Sequence, residues 1–379
     1  VACDPDFLNL AVPGVRGLRP YQPGKPVEAL EREYGVSDSV KLASNESPLG
    51  PGPMALAAAR DALGELGRYP DGGGFRLKAA LSAHHDIDSA SITLGNGSND
   101  LLDLLARVFL GPGSNAVFSA HAFAVYALVT QAVGARSIVV PAHNGANGPA
   151  YGHDLGAMLR AVDADTRLVF VANPNNPTGT WLSAAELEAF LEAVPERVVV
   201  VVDEAYFEYV DAEGYGDCTA WLERFSNLVV TRTFSKIHGL AALRVGYSLS
   251  HPQVADLLNR VRQPFNVNSV ALAAAEAALQ DKEHICASLE VNRAGLAQLA
   301  KGLGAIGVSW IPSVGNFLSV NVGPRAAEVY EALLRRGVIV RPVANYGLSE
   351  FQRITVGTRQ ENARLLQVLG AVVGSMKCL

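Results

Sequence analysis

Lys236 lies in Thr231-Arg232-Thr233-Phe234-Ser235-Lys236-Ile237-His238-Gly239, directly after the apolar run Leu228-Val229-Val230, which reads as a buried strand. A lysine in a turn of hydroxyls and small residues, screened from bulk water and close to other cations, gives up its proton readily. It can then add to a carbonyl as a Schiff base. Arg244, eight residues on, stays protonated, and its planar fork suits a phosphate. With the hydroxyls of Thr233 and Ser235, these residues describe the anchor of a phosphorylated aldehyde, for which pyridoxal 5′-phosphate is the first candidate. A surface Lys/Arg pair after any strand would give similar letters, so other positions must decide.

Asp203 ends the run Val198-Val199-Val200-Val201-Val202. A buried carboxylate facing a pyridine nitrogen keeps that nitrogen protonated and the ring able to accept electrons; a strand-end aspartate bonded to loop amides is the plainer alternative. Tyr206 and Asn176 could each donate to the ring's phenolic oxygen, and Phe123 could stack on the ring. Each also has a structural reading: Tyr206 and Phe123 as core, Asn176 as part of the turn Asn173-Pro174-Asn175-Asn176-Pro177. Gly97-Ser98-Asn99 opens a helix, with Ser98 or Asn99 the expected N-cap, and the free N–H groups of that first turn would make an anion site. Lys236 would act twice, first as anchor and then as the base that moves a proton at the substrate α-carbon. Arg341 and Arg353 fall in β-branched strands, where a charge is costly unless paired. Arg353 is the better clamp for a substrate carboxylate, with a salt bridge as the competing reading for both. His121, His238 and the pair His84-His85 have no metal-ligand spacing, so no metal is expected.

The elements that must carry these groups alternate strand and helix. Short strands are expected at 92–94, 116–118, 137–140, 168–172 and 198–202, with helices at about 54–64, 100–109 and 123–133. The strand of consecutive valines should be covered on both faces, as in a parallel sheet. Ser183-Ala184-Ala185-Glu186 reads as a capping box. Beyond residue 265, helices near 269–280, 283–302, 325–335 and 360–373 and strands near 317–322, 338–341 and 353–356 suggest a smaller α+β unit. The expected division is 1–40 as an N-terminal arm and part of the small domain, 41–265 as a large cofactor-binding domain, and 266–379 as the small domain. The fold class is α/β: a mostly parallel central sheet covered by helices, with a smaller α+β domain built from the C-terminal part and the N-terminal tail.

The 379 residues suit two domains, and 49% hydrophobic with 18% charged residues is globular. A formal charge of -6 and the lack of any basic tract argue against nucleic acid. Four cysteines without metal or redox spacing, no signal-like start and no long apolar run make the cytoplasm the expected compartment and a membrane an unexpected partner.

Taken together, Leu18-Arg19-Pro20-Tyr21, Leu42-Ala43-Ser44-Asn45-Glu46, Arg68-Tyr69-Pro70, Gly95-Asn96-Gly97-Ser98-Asn99, Asn173 to Gly179, Asp203-Glu204-Ala205-Tyr206, Ser235-Lys236, Leu243-Arg244-Val245-Gly246 and Arg353-Ile354-Thr355-Val356-Gly357 resemble the fold-type I pyridoxal-phosphate aminotransferases. Within them the chain is most similar to the histidinol-phosphate aminotransferase family, over nearly its whole length. The resemblance implies Lys236 as the Schiff-base lysine, Asp203 as the ring-nitrogen partner, and Asn176 and Tyr206 as donors to the ring oxygen. It makes Ser235, Arg244 and the Gly97-Ser98 turn phosphate ligands, and Arg353 the anchor for the carboxylate of glutamate. Arg341, Tyr21 and Asn45 join the substrate side. It further implies a homodimer in which Tyr69 reaches the cofactor phosphate of the other subunit. The reaction implied moves an amino group between L-glutamate/2-oxoglutarate and imidazole acetol phosphate/L-histidinol phosphate, in histidine biosynthesis. An aromatic amino-acid aminotransferase is the alternative, followed by a threonine-phosphate decarboxylase-like enzyme or a cofactor-binding regulator. Two positions depart from the family's pattern: His121-Ala122-Phe123 stands where Pro-x-Tyr is common, and Asp100 where Glu is common.

Overall fold

The computed structural model describes residues 6–377; Cys3 and Cys378 lie outside them. Seven strands form the central sheet: β1 (Ile92–Gly95), β2 (Asn115–Ser119), β3 (Arg136–Val140), β4 (Thr166–Ala172), β5 (Val199–Asp203), β6 (Leu228–Thr233) and β7 (Gly246–Ser250). They hydrogen-bond in the order β1-β7-β6-β5-β4-β2-β3. Only β7 runs antiparallel to its neighbours. The parallel strands therefore end on one rim, where Ala172, Asp203 and Thr231 stand side by side in register.

Alternation along a strand sends successive side chains to opposite faces, and β5 buries both. Val200 and Val202 share an apolar cluster with Leu187, Phe190 and Ala274, whereas Val199 and Val201 join Leu101, Tyr126 and Phe170 on the other face. Each valine fully buried in this way contributes about 1.5–3 kcal/mol. The helix Ala184–Ala193 starts with the expected capping box, in which Ser183 and Glu186 bond reciprocally. The helix Ser98–Phe109 is capped differently from expectation: Gly97, at φ 82°, is its N-cap and Ser98 its first residue, with no side-chain cap. Backbone N–H groups at that end are thereby left to a ligand rather than satisfied by a serine or asparagine.

A second sheet of four strands runs Arg341–Pro342, Phe351–Thr355, Phe317–Asn321, Ser309–Ile311, all antiparallel. The helices Lys282–Ala305, Ala326–Leu334 and Arg359–Lys377 contribute Leu299, Leu333 and Leu369 to its core. The strand expected at 338–341 is split. Val338–Ile339 pairs in parallel with Val40–Lys41, and Arg341–Pro342 moves to the edge of the four-stranded sheet, where a proline without an N–H is tolerated. The N-terminal helix Val27–Tyr34 seats Leu30 against Leu334 and Ile339, so the tail packs on the smaller unit. The helix Ser269–Ala278 buries Ala271, Ala274 and Ala275 in the core of the large sheet, and small alanines allow its close approach to the helix Pro53–Ala62. Among the described residues no helix is long and apolar enough to cross a membrane.

Candidate active site

The rim of parallel strand ends faces the smaller unit across a cavity of about 190 Å³, which opens beside Tyr21 and Arg341 into a wider groove. Ser98, Asn99, Phe123, Asn176, Asp203, Tyr206, Thr233, Ser235, Lys236 and Arg244 line it from the large sheet, and Tyr21, Asn45, Arg341 and Arg353 from the opposite side. Fourteen of the positions singled out in the sequence thus share one wall or the other. Gly97 lies just behind the cavity. A Cβ there would stand 2.2 Å from Arg244 Nη2, so only glycine lets the guanidinium close on this turn. Arg244 itself sits in left-handed backbone at φ 54° and donates to Ser235 Oγ at 3.2 Å and to the Ala241 carbonyl at 3.1 Å. Thr233 Oγ1 accepts the Ser235 N–H at 3.1 Å. A helix start, a guanidinium and a hydroxyl converging here form a donor set for a phosphate dianion.

Asp203, 5% exposed, closes β5. Its Oδ2 accepts the Tyr126 hydroxyl at 2.9 Å and its Oδ1 the Thr231 hydroxyl at 3.2 Å. Burial raises its pKa, while Tyr126, Thr231, the Ala205 N–H and Lys236 restrain the rise. Tyr126 was not foreseen, nor was Thr231. Tyr126 falls one helical turn beyond Phe123, with its ring stacked 4.7 Å from Phe170, and that spacing was the signal available in the sequence.

Burial brings Lys236 down to about pKa 8, helped by the Arg353 and Arg244 charges and opposed by Glu46 and Asp203. Its Nζ donates to the Ser44 carbonyl at 3.2 Å and lies 5.6 Å from the Tyr206 ring centre. The amine is therefore near the proton balance that nucleophilic addition requires. Arg353 is 5% exposed, and among the described residues no carboxylate oxygen comes within 4.0 Å of it. Its Nη1 donates to Asn176 Oδ1 at 2.5 Å and its Nη2 to the Ala43 carbonyl at 2.7 Å, while its Nε has no partner. Arg341 stands opposite it on the neighbouring strand, with its guanidinium 5.3 Å from the Tyr21 ring centre. Two buried cations without counter-charges among the described residues are costly in isolation and well suited to an anionic ligand.

Two positions are placed differently from the rest. Asn45 is in the wall, but its carboxamide is engaged: Nδ2 donates to Tyr206 Oη at 2.8 Å, and Oδ1 accepts the Thr355 hydroxyl at 3.1 Å. Tyr69 does not reach the cavity of its own chain. It is 82% exposed and stacks on Phe265 at 4.8 Å. The histidines are used elsewhere, His121 Nδ1 bonding the Tyr346 carbonyl at 2.6 Å and His85 Nε2 the Tyr247 hydroxyl at 3.0 Å.

Residues 37–369 match the family described as aminotransferase class I and II. Histidinol-phosphate aminotransferase 1 of Nitrosococcus oceani is 58% identical over 97% of this chain and 98% of its own length. Histidinol-phosphate aminotransferase 2 of Pseudomonas aeruginosa is 59% identical over 97% and 99%. Among solved structures, the histidinol-phosphate aminotransferase of Sinorhizobium meliloti in complex with pyridoxal-5′-phosphate superposes with a TM-score of 0.87 at 30% identity, covering 96% of this chain and 97% of that one. The fold is shared more widely, with aspartate aminotransferase of Thermus thermophilus at a TM-score of 0.81 and 20% identity. With that much of its length matched, this chain belongs to the class I and II aminotransferases and, within them, to the histidinol-phosphate aminotransferase family.

Proposed function

We propose that the chain is a pyridoxal 5′-phosphate-dependent aminotransferase that exchanges an amino group between L-glutamate/2-oxoglutarate and imidazole acetol phosphate/L-histidinol phosphate, in histidine biosynthesis. The observation that carries this reading is a half-buried amine, Lys236, near pKa 8 between a buried carboxylate and an anion cradle. The donor set fits the cofactor: the approach of Arg244 to Gly97 leaves a pocket of N–H and O–H groups for a phosphate, and Asp203 supplies the carboxylate a protonated ring nitrogen needs. When bound, the cofactor supplies an aldehyde for Lys236 and a ring that takes up electrons from the substrate α-carbon.

The residues of the chain do the rest. Gly97, Ser98, Asn99, Thr233, Ser235 and Arg244 hold the phosphate end, and Phe123 lies against the ring. Asp203, whose charge the Tyr126 and Thr231 hydroxyls favour against the cost of burial, would hold a proton on the ring nitrogen. Tyr206 and the Asn176 amide donate to the ring oxygen; because Asn176 Oδ1 accepts from Arg353, its NH₂ is left to face the cavity. With its amine free, Lys236 would take and return the α-proton as a base, which a pKa of about 8 permits. Arg353 takes the α-carboxylate by its planar fork, with Arg341 and Tyr21 at the outer end of the substrate. A homodimer completes the site with Tyr69 of the second copy; the exposed apolar side chains Met54, Leu63, Leu66, Tyr69, Phe75 and Phe265 support such an interface. Two domains, with the boundary moved to the start of the helix Lys282–Ala305, and a cytoplasmic location are part of the same reading.

The test is a comparison of turnover with histidinol phosphate, phenylalanine and threonine phosphate as donors to 2-oxoglutarate. Histidinol phosphate should be fastest. Faster phenylalanine turnover, or carbon dioxide release from threonine phosphate, would overturn the substrate assignment. Borohydride reduction of the loaded protein should tag Lys236, and a tag elsewhere would overturn the anchor.

A further inference from the structure

We propose that Asn45 is a positioning residue that fixes the direction of the Tyr206 hydroxyl, making that phenol a donor into the cavity; the inference rests on the cofactor reading above. Asn45 is 1% exposed and sits in left-handed backbone, φ 55°, which asparagine tolerates better than most residues. Its N–H donates to Thr355 Oγ1 at 2.9 Å, and its carbonyl accepts from Asn316 Nδ2 at 3.0 Å. Thr355 Oγ1, already accepting, gives its own proton to Asn45 Oδ1 at 3.1 Å. That exchange turns the carboxamide so that Nδ2 faces Tyr206 and donates to Oη at 2.8 Å.

A phenol has one proton. With its oxygen accepting from Asn45, the Tyr206 O–H turns away from that residue, toward the cavity whose wall Tyr206 forms. An oxygen that accepts one hydrogen bond also donates a stronger one. Tyr206 stays protonated for this task, since burial raises its pKa to about 12, with Arg353 and Asn45 limiting the rise. Thr355 is two residues beyond Arg353 on one strand, so the strand that carries the carboxylate clamp also seats the residue that aims Tyr206. If Asn45 merely tied its loop to that strand, its removal would act whether or not Tyr206 kept its hydroxyl.

The experiment is a pH titration of the visible absorbance of the cofactor-loaded wild type, Asn45→Gly, Tyr206→Phe and the double variant. Glycine keeps the left-handed backbone and removes only the carboxamide. A phenol donating to the ring oxygen favours loss of the proton on the Lys236 nitrogen, so a weaker donor lets that nitrogen keep its proton to higher pH. Asn45→Gly should raise the apparent pKa by about half a unit to one unit, and in the Tyr206→Phe background it should add nothing. A fall would mean that Tyr206 donates to Asn45, and it overturns the proposal. So does an unchanged value, or an equal rise without the Tyr206 hydroxyl. In cofactor-free protein labelled with carbon-13 at tyrosine Cζ, the signal lost in Tyr206→Phe should move in Asn45→Gly, and an unmoved signal overturns the proposal as well. This second measurement needs no cofactor, so a wild type without a visible band would tell against the cofactor reading while Asn45 was still decided.

Discussion

Asp203 and Glu204 are adjacent and both buried, yet strand alternation gives them opposite company. Glu204 meets a full cation: Arg232 reaches it with Nε at 3.0 Å and Nη2 at 2.7 Å, bonds Asp217 at 2.7 Å, and lies 3.6 Å from the Phe207 ring centre. Asp203, on the cavity side, is bonded by the neutral hydroxyls of Tyr126 and Thr231 and the Ala205 N–H, and Lys236 acts on it through its charge without forming a salt bridge among the described residues. Arg353 repeats the contrast, as a buried arginine bonded to an amide and a carbonyl and left with an unpaired Nε. Charge on the closed side of the sheet is neutralised within the chain, whereas charge on the cavity side waits for groups from outside. Burial alone therefore does not mark the site; burial without a counter-charge does.

Replacing the two arginines should separate these roles most sharply. Arg232→Met strands Glu204 and Asp217 and should cost about 3–5 kcal/mol of stability in urea denaturation of the cofactor-free protein. Arg353→Met gives up two bonds to neutral groups but also a buried unpaired cation, so its stability should stay within about 1 kcal/mol of wild type. Its kcat/KM for glutamate should instead fall about 10²- to 10³-fold, as loss of a buried charged pair with the substrate implies. Equal destabilisation by the two variants would erase the distinction.

Lys236 allows a test by pH. Its folded-state pKa of about 8 lies below the ordinary 10.5, so between those values the unfolded chain binds more protons than the folded one. Stability from this group rises with pH across that window, relieving a penalty on the order of 3 kcal/mol that is fully present below pH 8. Lys236→Met should stabilise the cofactor-free protein at pH 7, and its advantage should shrink toward pH 10.5. Urea midpoints at both ends of the range measure this, and an advantage that did not change with pH would mean that the amine is not held against its own charge.

The front of the sheet was largely legible in the sequence because strand, turn and chemistry are local there. A valine run ends in Asp203, and a hydroxyl-rich turn carries Lys236 eight residues before Arg244. What escaped depends on contacts distant along the chain. Tyr126 finds Asp203 from 77 residues away, and Asn45 finds Tyr206 from 161, so the helical spacing from Phe123 puts the tyrosine near the site without naming its partner, and nothing local names the partner of the asparagine. The alanines of the helix Ser269–Ala278 fit either unit in the sequence, and its packing against the helix Pro53–Ala62 is a contact between distant segments. Tyr69 lies outside the cavity of its own chain, stacked on Phe265, and nothing local in the sequence gives that placement.

Tyr126→Phe is the smallest perturbation that still tests the contrast. It removes one neutral donor from Asp203 and leaves Thr231 and the Ala205 N–H in place. Burial already raises the Asp203 pKa, and losing its shorter hydroxyl bond raises it further, so the carboxylate holds the ring nitrogen's proton less firmly. One neutral hydrogen bond is worth about 1 kcal/mol, so cofactor affinity should weaken about 3- to 10-fold in an absorbance titration of the cofactor-free protein. Phenylalanine keeps the ring stacked on Phe170, so the fold should be nearly unaffected. A loss beyond a hundredfold, or destabilisation as large as that of Arg232→Met, would mean that a neutral hydroxyl on the open side does the work of a cation on the closed side. The two faces of the sheet would then no longer differ in how their buried charges are held.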